Sequence, residues 1–181
     1  YKYRGTFSFR YENLINEARG LPEYSKSTVF NVRWNHSKDP KSSPNSTFSA
    51  SVNFGSSDYY RQSVNQLNSP NFLNNNLSSS ISYSKSFPEY PRVNISLTSA
   101  MSQNSKTKLV NLTLPTFQAN MERIYPFAPK VGAKKGLFQN INFQYSSRAE
   151  NRIITSEDAL FGPTMFENAK MGMKHTIPLS T

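Results

Sequence analysis

The chain has 181 residues, no cysteine and a net charge of +10, with 36% of its residues hydrophobic and 13% aromatic. No run of about 18 apolar residues occurs, which excludes a membrane-spanning helix, and the lack of cysteine excludes disulfide staples and thiolate zinc sites. Low hydropathy with a positive balance is the composition of a disordered chain, yet 13 Phe and 10 Tyr are more rings than such a chain carries, so ordered structure must use them.

The first segment alternates strictly. Tyr1, Tyr3, Phe7, Phe9 and Tyr11 fall on one side with Gly5 between them, and Lys2, Arg4, Thr6, Ser8, Arg10 and Glu12 fall on the other. Successive side chains of a strand point to opposite faces, so the segment predicts a strand with an aromatic face and a hydrated one. A second strand is expected over about 28–37, with Phe30, Val32, Trp34 and His36 in phase and Arg33 opposite. The turn formers Asp39-Pro40-Lys41-Ser42-Ser43-Pro44-Asn45 end it. Phe48, Ala50, Val52 and Phe54 resume the alternation and complete a hairpin.

Between Ser56 and Asn76 the period is lost, which reads as a long polar loop with room for a helical turn. Leu77, Ile81, Tyr83 and Phe87 form the apolar side of the next strand, and the turn at Phe87-Pro88-Glu89-Tyr90-Pro91 leads into Val93, Ile95, Leu97 and Met101. The phase of that strand slips near Ser99 and Ala100. Val110, Leu112 and Leu114 follow, and Pro115, which has no N–H to donate, marks a strand end, a bulge or an edge. Residues 117–136 read as a shaped loop or a strand extension. Leu137, Ile141, Phe143 and Tyr145 predict another long strand, a return strand is expected to start near Arg152, and Met171, Met173, His175, Ile177 and Leu179 mark a last one. The count is eight to nine strands, with short connections expected on one side of the sheet. Both ends of the chain fall inside strand patterns, so it reads as an internal piece of a larger protein.

Periodicity alone also fits a soluble sandwich or a secreted adhesin-like β domain. Two features favour a membrane wall. Several patterns persist for about ten residues, where strands of soluble proteins average five or six. The apolar set is also rich in rings near strand ends, as at Tyr11, Trp34, Tyr83, Phe87 and Tyr145, and such rings favour the membrane interface. The fold expected is all-β, part of an antiparallel transmembrane barrel, and residues 1–181 belong to one such domain. The candidate lipid-facing residues are Phe7, Phe9, Phe30, Val32, Trp34, Phe48, Val52, Phe54, Ile81, Tyr83, Val93, Ile95, Leu97, Ile141 and Phe143.

Catalysis has little to stand on. His36 and His175 belong to separate strand patterns, and no paired carboxylates, nucleophile elbow, phosphate loop or metal-ligand spacing is legible, so no enzyme activity and no cofactor is expected. Lys2, Arg4, Arg10 and Arg33 fall on the polar side of the strands. If that side lines a lumen, they give it a positive field that attracts phosphorylated or carboxylated cargo, unless they pair with groups such as Glu12. The basic residues are scattered and no recognition helix occurs, so nucleic acid is not an expected partner.

Several strings resemble one family. They are Phe30 to Pro44 (FNVRWNHSKDPKSSP), Phe48 to Ser57 (FSASVNFGSS), Asn74 to Lys85 (NNNLSSSISYSK), Leu112 to Pro115 (LTLP), Arg123 to Lys130 (RIYPFAPK) and Gly132 to Tyr145 (GAKKGLFQNINFQY). They resemble the barrel of the lipopolysaccharide-assembly protein LptD of Bacteroidetes type, over nearly the whole chain. The resemblance implies a large barrel in the cell outer membrane that inserts lipopolysaccharide into the outer leaflet. It also implies a periplasmic Lpt bridge that feeds the barrel, an LptE-type lipoprotein plug and surrounding membrane lipid, with this chain as a middle portion of the wall. The alternatives are a porin, a nutrient-uptake barrel of the TonB-dependent type, or a surface adhesin that binds glycans.

Overall fold

A computed structural model of the chain describes residues 2–16, 19, 20, 22, 24–63, 76–129 and 131–181. Nine strands dominate it: β1 (Tyr3–Asn16), β2 (Ser25–Lys38), β3 (Ser46–Gly55), β4 (Asn76–Phe87), β5 (Val93–Asn104), β6 (Leu109–Ile124), β7 (Asn142–Ser156), β8 (Lys170–Thr176) and β9 (Leu179–Ser180). They form one sheet in the order β1 to β8, each strand antiparallel to the next, and β9 pairs with β7 beyond the end of β8. Pro178 lies between β8 and β9, where the missing N–H interrupts a continuous ladder. The described residues form one open antiparallel sheet with no second sheet packed on it, an architecture consistent with part of a barrel wall.

Strand lengths suit that architecture. They run from 10 residues in β3 to 16 in β6, apart from the short β8 and β9. A tilted strand crosses a bilayer with about 9 to 11 residues. Among the described residues no helix is long and apolar enough to cross a membrane.

The sheet bears out a bulge at Pro115 and a strand extension after it, and departs from the sequence reading elsewhere. The slip near Ser99 is a bulge whose extra residue lies on the partner strand: Thr98 faces Thr116 and Ala100 faces Thr113, so Leu114 and Pro115 share the place opposite Ser99. Pro115 therefore bends β6 without ending it, and residues 117–124 are strand. The expected strand over 137–141 is not formed. Gly136, at φ 71, turns the chain into a short helix, α2 (Gly136–Asn140), which is tied by Asn140 Nδ2 to the Gly136 carbonyl and by the Lys135 N–H to Gln139 Oε1. Ile141 lies between that helix and β7, outside any strand, which corrects its place among the strand-borne apolar residues.

No return strand begins at Arg152. β7 runs on through it to Ser156, because Arg148, Glu150 and Arg152 project from the same side of an extended chain and bond to one another. Nine strands result only because β7 replaces two expected strands while Pro178 divides the last. Neither end of the sheet has only short connections. Segments 39–45 and 88–92 are short, but 125–141 leaves the same end of the sheet. Pro126 and Pro129 within it cannot donate to a ladder.

Tyr1 and residues 64–75 lie outside the described residues. The rest of the expected 56–76 loop contains a single helical turn, α1 (Tyr59–Gln62).

Candidate functional site

The register sorts side chains into rows that run across the strands. One row, Phe48, Tyr83, Leu97, Phe117, Ala149 and Met173, crosses six strands and is apolar throughout. The row one residue away, Thr47, Ser84, Ser96, Gln118, Arg148 and Lys174, is polar throughout. So is the next in the same phase, Ser49, Ser82, Thr98, Thr116, Glu150 and Gly172, apart from its glycine. Neighbouring rows project to opposite faces, so the wall has an apolar side and a hydrogen-bonding side.

The apolar side joins the residues singled out from the sequence. Phe7 pairs with Trp34 and Trp34 with Val52, and Phe9 pairs with Val32 and Val32 with Phe54. Phe30 faces Tyr11, and Ile81 faces Ala50. Val93 and Ile95 lie in the phase of Leu97, and Phe143 lies in that of Ala149. Much of this face is open: Phe7 is 69% exposed, Phe9 58% and Met173 62%. A contiguous apolar surface of this kind marks contact with lipid or with another protein.

Rings gather around His36, which stacks on Tyr3 at 5.6 Å and on Trp34 at 5.9 Å and meets Phe48 edge-on at 5.7 Å. His175 stacks on Tyr145 in the same way and shares a hydrogen bond with its hydroxyl. Both histidines are aromatic-face residues, and among the described residues no His, Cys, Asp and Glu side chains gather as metal ligands.

One end of the apolar side is covered by protein. The 157–169 connection folds back so that Met165 packs on Val110, Leu112 and Ile153, with Leu160 beside them, and Phe161 meets Phe54 edge-on. Beside this, Gln103 reaches across to donate from Nε2 to the Gly55 carbonyl at 2.9 Å. Gly55 admits no side chain, since a Cβ there would lie 2.4 Å from the Phe30 carbonyl.

The polar side is laced by hydroxyl pairs such as Thr47–Ser84 at 2.6 Å and Ser49–Ser82 at 2.7 Å. It also carries the cations. Arg10 and Arg33 are met by α1: Arg10 lies beside Tyr59, and Arg33 Nη2 donates to the Tyr60 hydroxyl at 2.8 Å. The same turn is anchored by Ser63 donating to Glu12 and Ser27 donating to Gln62, and Tyr59 and Tyr60 are buried with Val29 and Leu77. Arg4 pairs in register with Ser37 at the other end of the hairpin, and Lys2 lies just before β1 with its ammonium 5.9 Å from the Tyr3 ring. The four cations singled out from the sequence therefore form two separated pairs and not one patch.

Sequence reasoning missed the denser group. Arg148, Arg152, Lys170 and Lys174 lie on the polar side of β7 and β8, where Arg148 faces Lys174 and Arg152 faces Lys170. The signal was present as Arg-x-Glu-x-Arg over 148–152 and Lys-x-Gly-x-Lys over 170–174. Expecting a strand break near Arg152 concealed the matching registers.

The family whose description is "LptD protein" matches residues 1–181. No curated protein and no solved structure matches the chain. The match covers every strand of the two-sided wall just described, and the chain belongs to the LptD family.

Proposed function

We propose that these strands are a portion of the barrel wall of a translocon that exports lipopolysaccharide and inserts it into the outer leaflet of the outer membrane. LptD proteins are an outer-membrane transport family that handles lipopolysaccharide. The observation that carries the finer reading is the adjacency of a wholly apolar and a wholly polar cross-strand row over six strands.

In this reading the face of Phe7, Phe9, Trp34, Val52, Tyr83 and Leu97 meets hydrocarbon, and the face of Arg4, Arg10, Arg33 and the serine rows lines a hydrated lumen. Lys2 borders that lumen at its rim. The physical task is transfer of an amphiphile whose anionic sugar head needs water and counter-charge while its acyl chains need oil. A wall with those two faces serves both, and no bond is made or broken. The tyrosines of α1 lie over Arg10 and Arg33, so part of the lumen is filled by the barrel's own loop. An LptE-type lipoprotein plug and a periplasmic Lpt bridge are the partners this reading calls for.

Depletion of the protein in cells is the test. Lipopolysaccharide should accumulate on the periplasmic side and disappear from the surface, while small-solute uptake continues. A nutrient-uptake defect with normal surface lipopolysaccharide would overturn the reading in favour of an uptake barrel.

A further inference from the structure

We infer that the polar side of β7 and β8 holds a phosphate-binding station, centred on Arg148 and Lys174. The inference rests on the export reading for its cargo but not for its chemistry.

Like charges directly opposite each other on neighbouring strands destabilise a sheet. Here two such pairs, Arg148–Lys174 and Arg152–Lys170, flank the Glu150–Gly172 pair. Glu150 accepts from both arginines, from Arg148 Nη2 at 2.6 Å and from Arg152 Nε, so one carboxylate serves four cations and the group carries 4 − 1 = +3. Neither the Lys170 nor the Lys174 ammonium has a hydrogen bond or ion pair among the described residues. Opposite Glu150, where a second carboxylate would offset part of the remaining charge, stands Gly172, and a Cβ there would meet nothing within 4 Å. The sheet thus keeps a notch open at the centre of its densest positive field.

Beside the notch is a cleft of about 220 Å³, lined by Gln118, Asn120, Ser146, Arg148, Lys174 and Thr176. That is several times the roughly 30 Å³ share of a water molecule, room for a tetrahedral oxyanion with part of its hydration. Every one of these side chains offers a donor: two amides, two hydroxyls, an ammonium, and the guanidinium hydrogens that Glu150 leaves free. A phosphate group has only acceptors at its anionic oxygens, and charge-assisted bonds to Arg and Lys are the strong kind. The amide and hydroxyl oxygens of Gln118, Asn120, Ser146 and Thr176 would serve a sugar hydroxyl as well, so it is the two cations, Arg148 and Lys174, that select an anion. The ligand class is therefore a phosphate, carried on a lipid headgroup or free in solution.

The test uses detergent-solubilised protein and two probes, inorganic pyrophosphate and lipopolysaccharide with its phosphates intact or enzymatically removed. Pyrophosphate should bind in a salt-dependent manner. The double variant Arg148→Gln/Lys174→Gln should weaken that binding at least tenfold, and Gly172→Glu, which fills the notch with a counter-charge, should do the same. Lys41→Gln, in the turn after β2, should leave it unchanged. Loss of affinity for intact but not for dephosphorylated lipopolysaccharide would assign the station to the cargo headgroup, and sensitivity to pyrophosphate alone would assign it to a free phosphate. Unchanged pyrophosphate binding in both variants, or no binding to the unmodified protein, overturns the station. The export reading is judged separately by surface lipopolysaccharide after depletion, so the two can fail independently.

Discussion

Ser57 and Glu157, separated by 100 residues, are joined by three contacts: the Ser57 N–H points at both carboxylate oxygens, at 3.0 and 3.3 Å, and its hydroxyl donates to Oε2. Ser57 is 2% exposed, and its hydroxyl lies 3.4 Å from Gln103 Nε2. This contact ties the chain leaving β3 to the chain leaving β7 across the ends of the strands between them. Glu157→Ala would leave a buried N–H and a buried hydroxyl without their acceptor, at a cost of roughly 1 to 3 kcal/mol. Faster proteolytic nicking in the 157–169 connection, with the strands otherwise intact, is the expected readout.

The two faces should respond oppositely to charge. Val52 lies on the apolar side opposite Trp34, and Ser51 lies on the polar side opposite Asn35 and Ser80. Val52→Arg should lower folding stability in bilayers by roughly 2 to 4 kcal/mol near mid-membrane, whereas Ser51→Arg should be mild. Phe7→Arg and Ser8→Arg form a second such pair. Equal tolerance at both sites of either pair, measured by urea titration of the refolded barrel, would rule out a lipid-facing role for this surface.

Most of this wall was legible because the period-two signal is read locally. The faces of β1 to β5 follow from which residues alternate, and alternation needs no knowledge of partners. What the sequence concealed depends on which bonds particular side chains make, some of them local and some to distant strands. Leu137, Gln139 and Ile141 alternate as a strand would, but Gly136 and the side-chain bonds of Gln139 and Asn140 make a helical turn there. Arg148-Ala149-Glu150-Asn151-Arg152 looks like a polar break until its charges are seen stacked along one side of β7. The cover given by Tyr59 and Tyr60 to Arg10 and Arg33 likewise depends on a connection returning to strands formed far earlier in the chain.

Gly5 and Gly172 both sit in strands but should differ in tolerance. A Cβ at Gly5 would come within 2.7 Å of the Asn35 carbonyl and of His36 Nδ1, so even alanine forces the β1–β2 pair apart or expels the imidazole from its stack with Tyr3 and Trp34. Overpacking of this kind costs about 1 to 3 kcal/mol. Gly172 has open space at the same position, so Gly172→Ala should change stability by no more than about 0.5 kcal/mol. Unfolding midpoints of the two variants in urea should separate accordingly.

The register itself can be locked by cysteines, since the 181 residues contain none to interfere. Ser49 and Ser82 are directly opposite on the polar side with hydroxyls 2.7 Å apart, and the Cβ atoms of such pairs lie about 4.5 to 5.5 Å apart, at the upper edge of what a disulfide spans. Ser49→Cys/Ser82→Cys should oxidise to an intramolecular bridge in the folded barrel. Ser49→Cys/Ile81→Cys should stay reduced, because Ile81 pairs with Ala50 and projects to the other side. A slip of one residue between β3 and β4 would reverse these outcomes, since it exchanges the faces of every side chain in the strand. Bridging in the second variant and not the first would therefore dismantle the row assignment on which the two-sided wall depends.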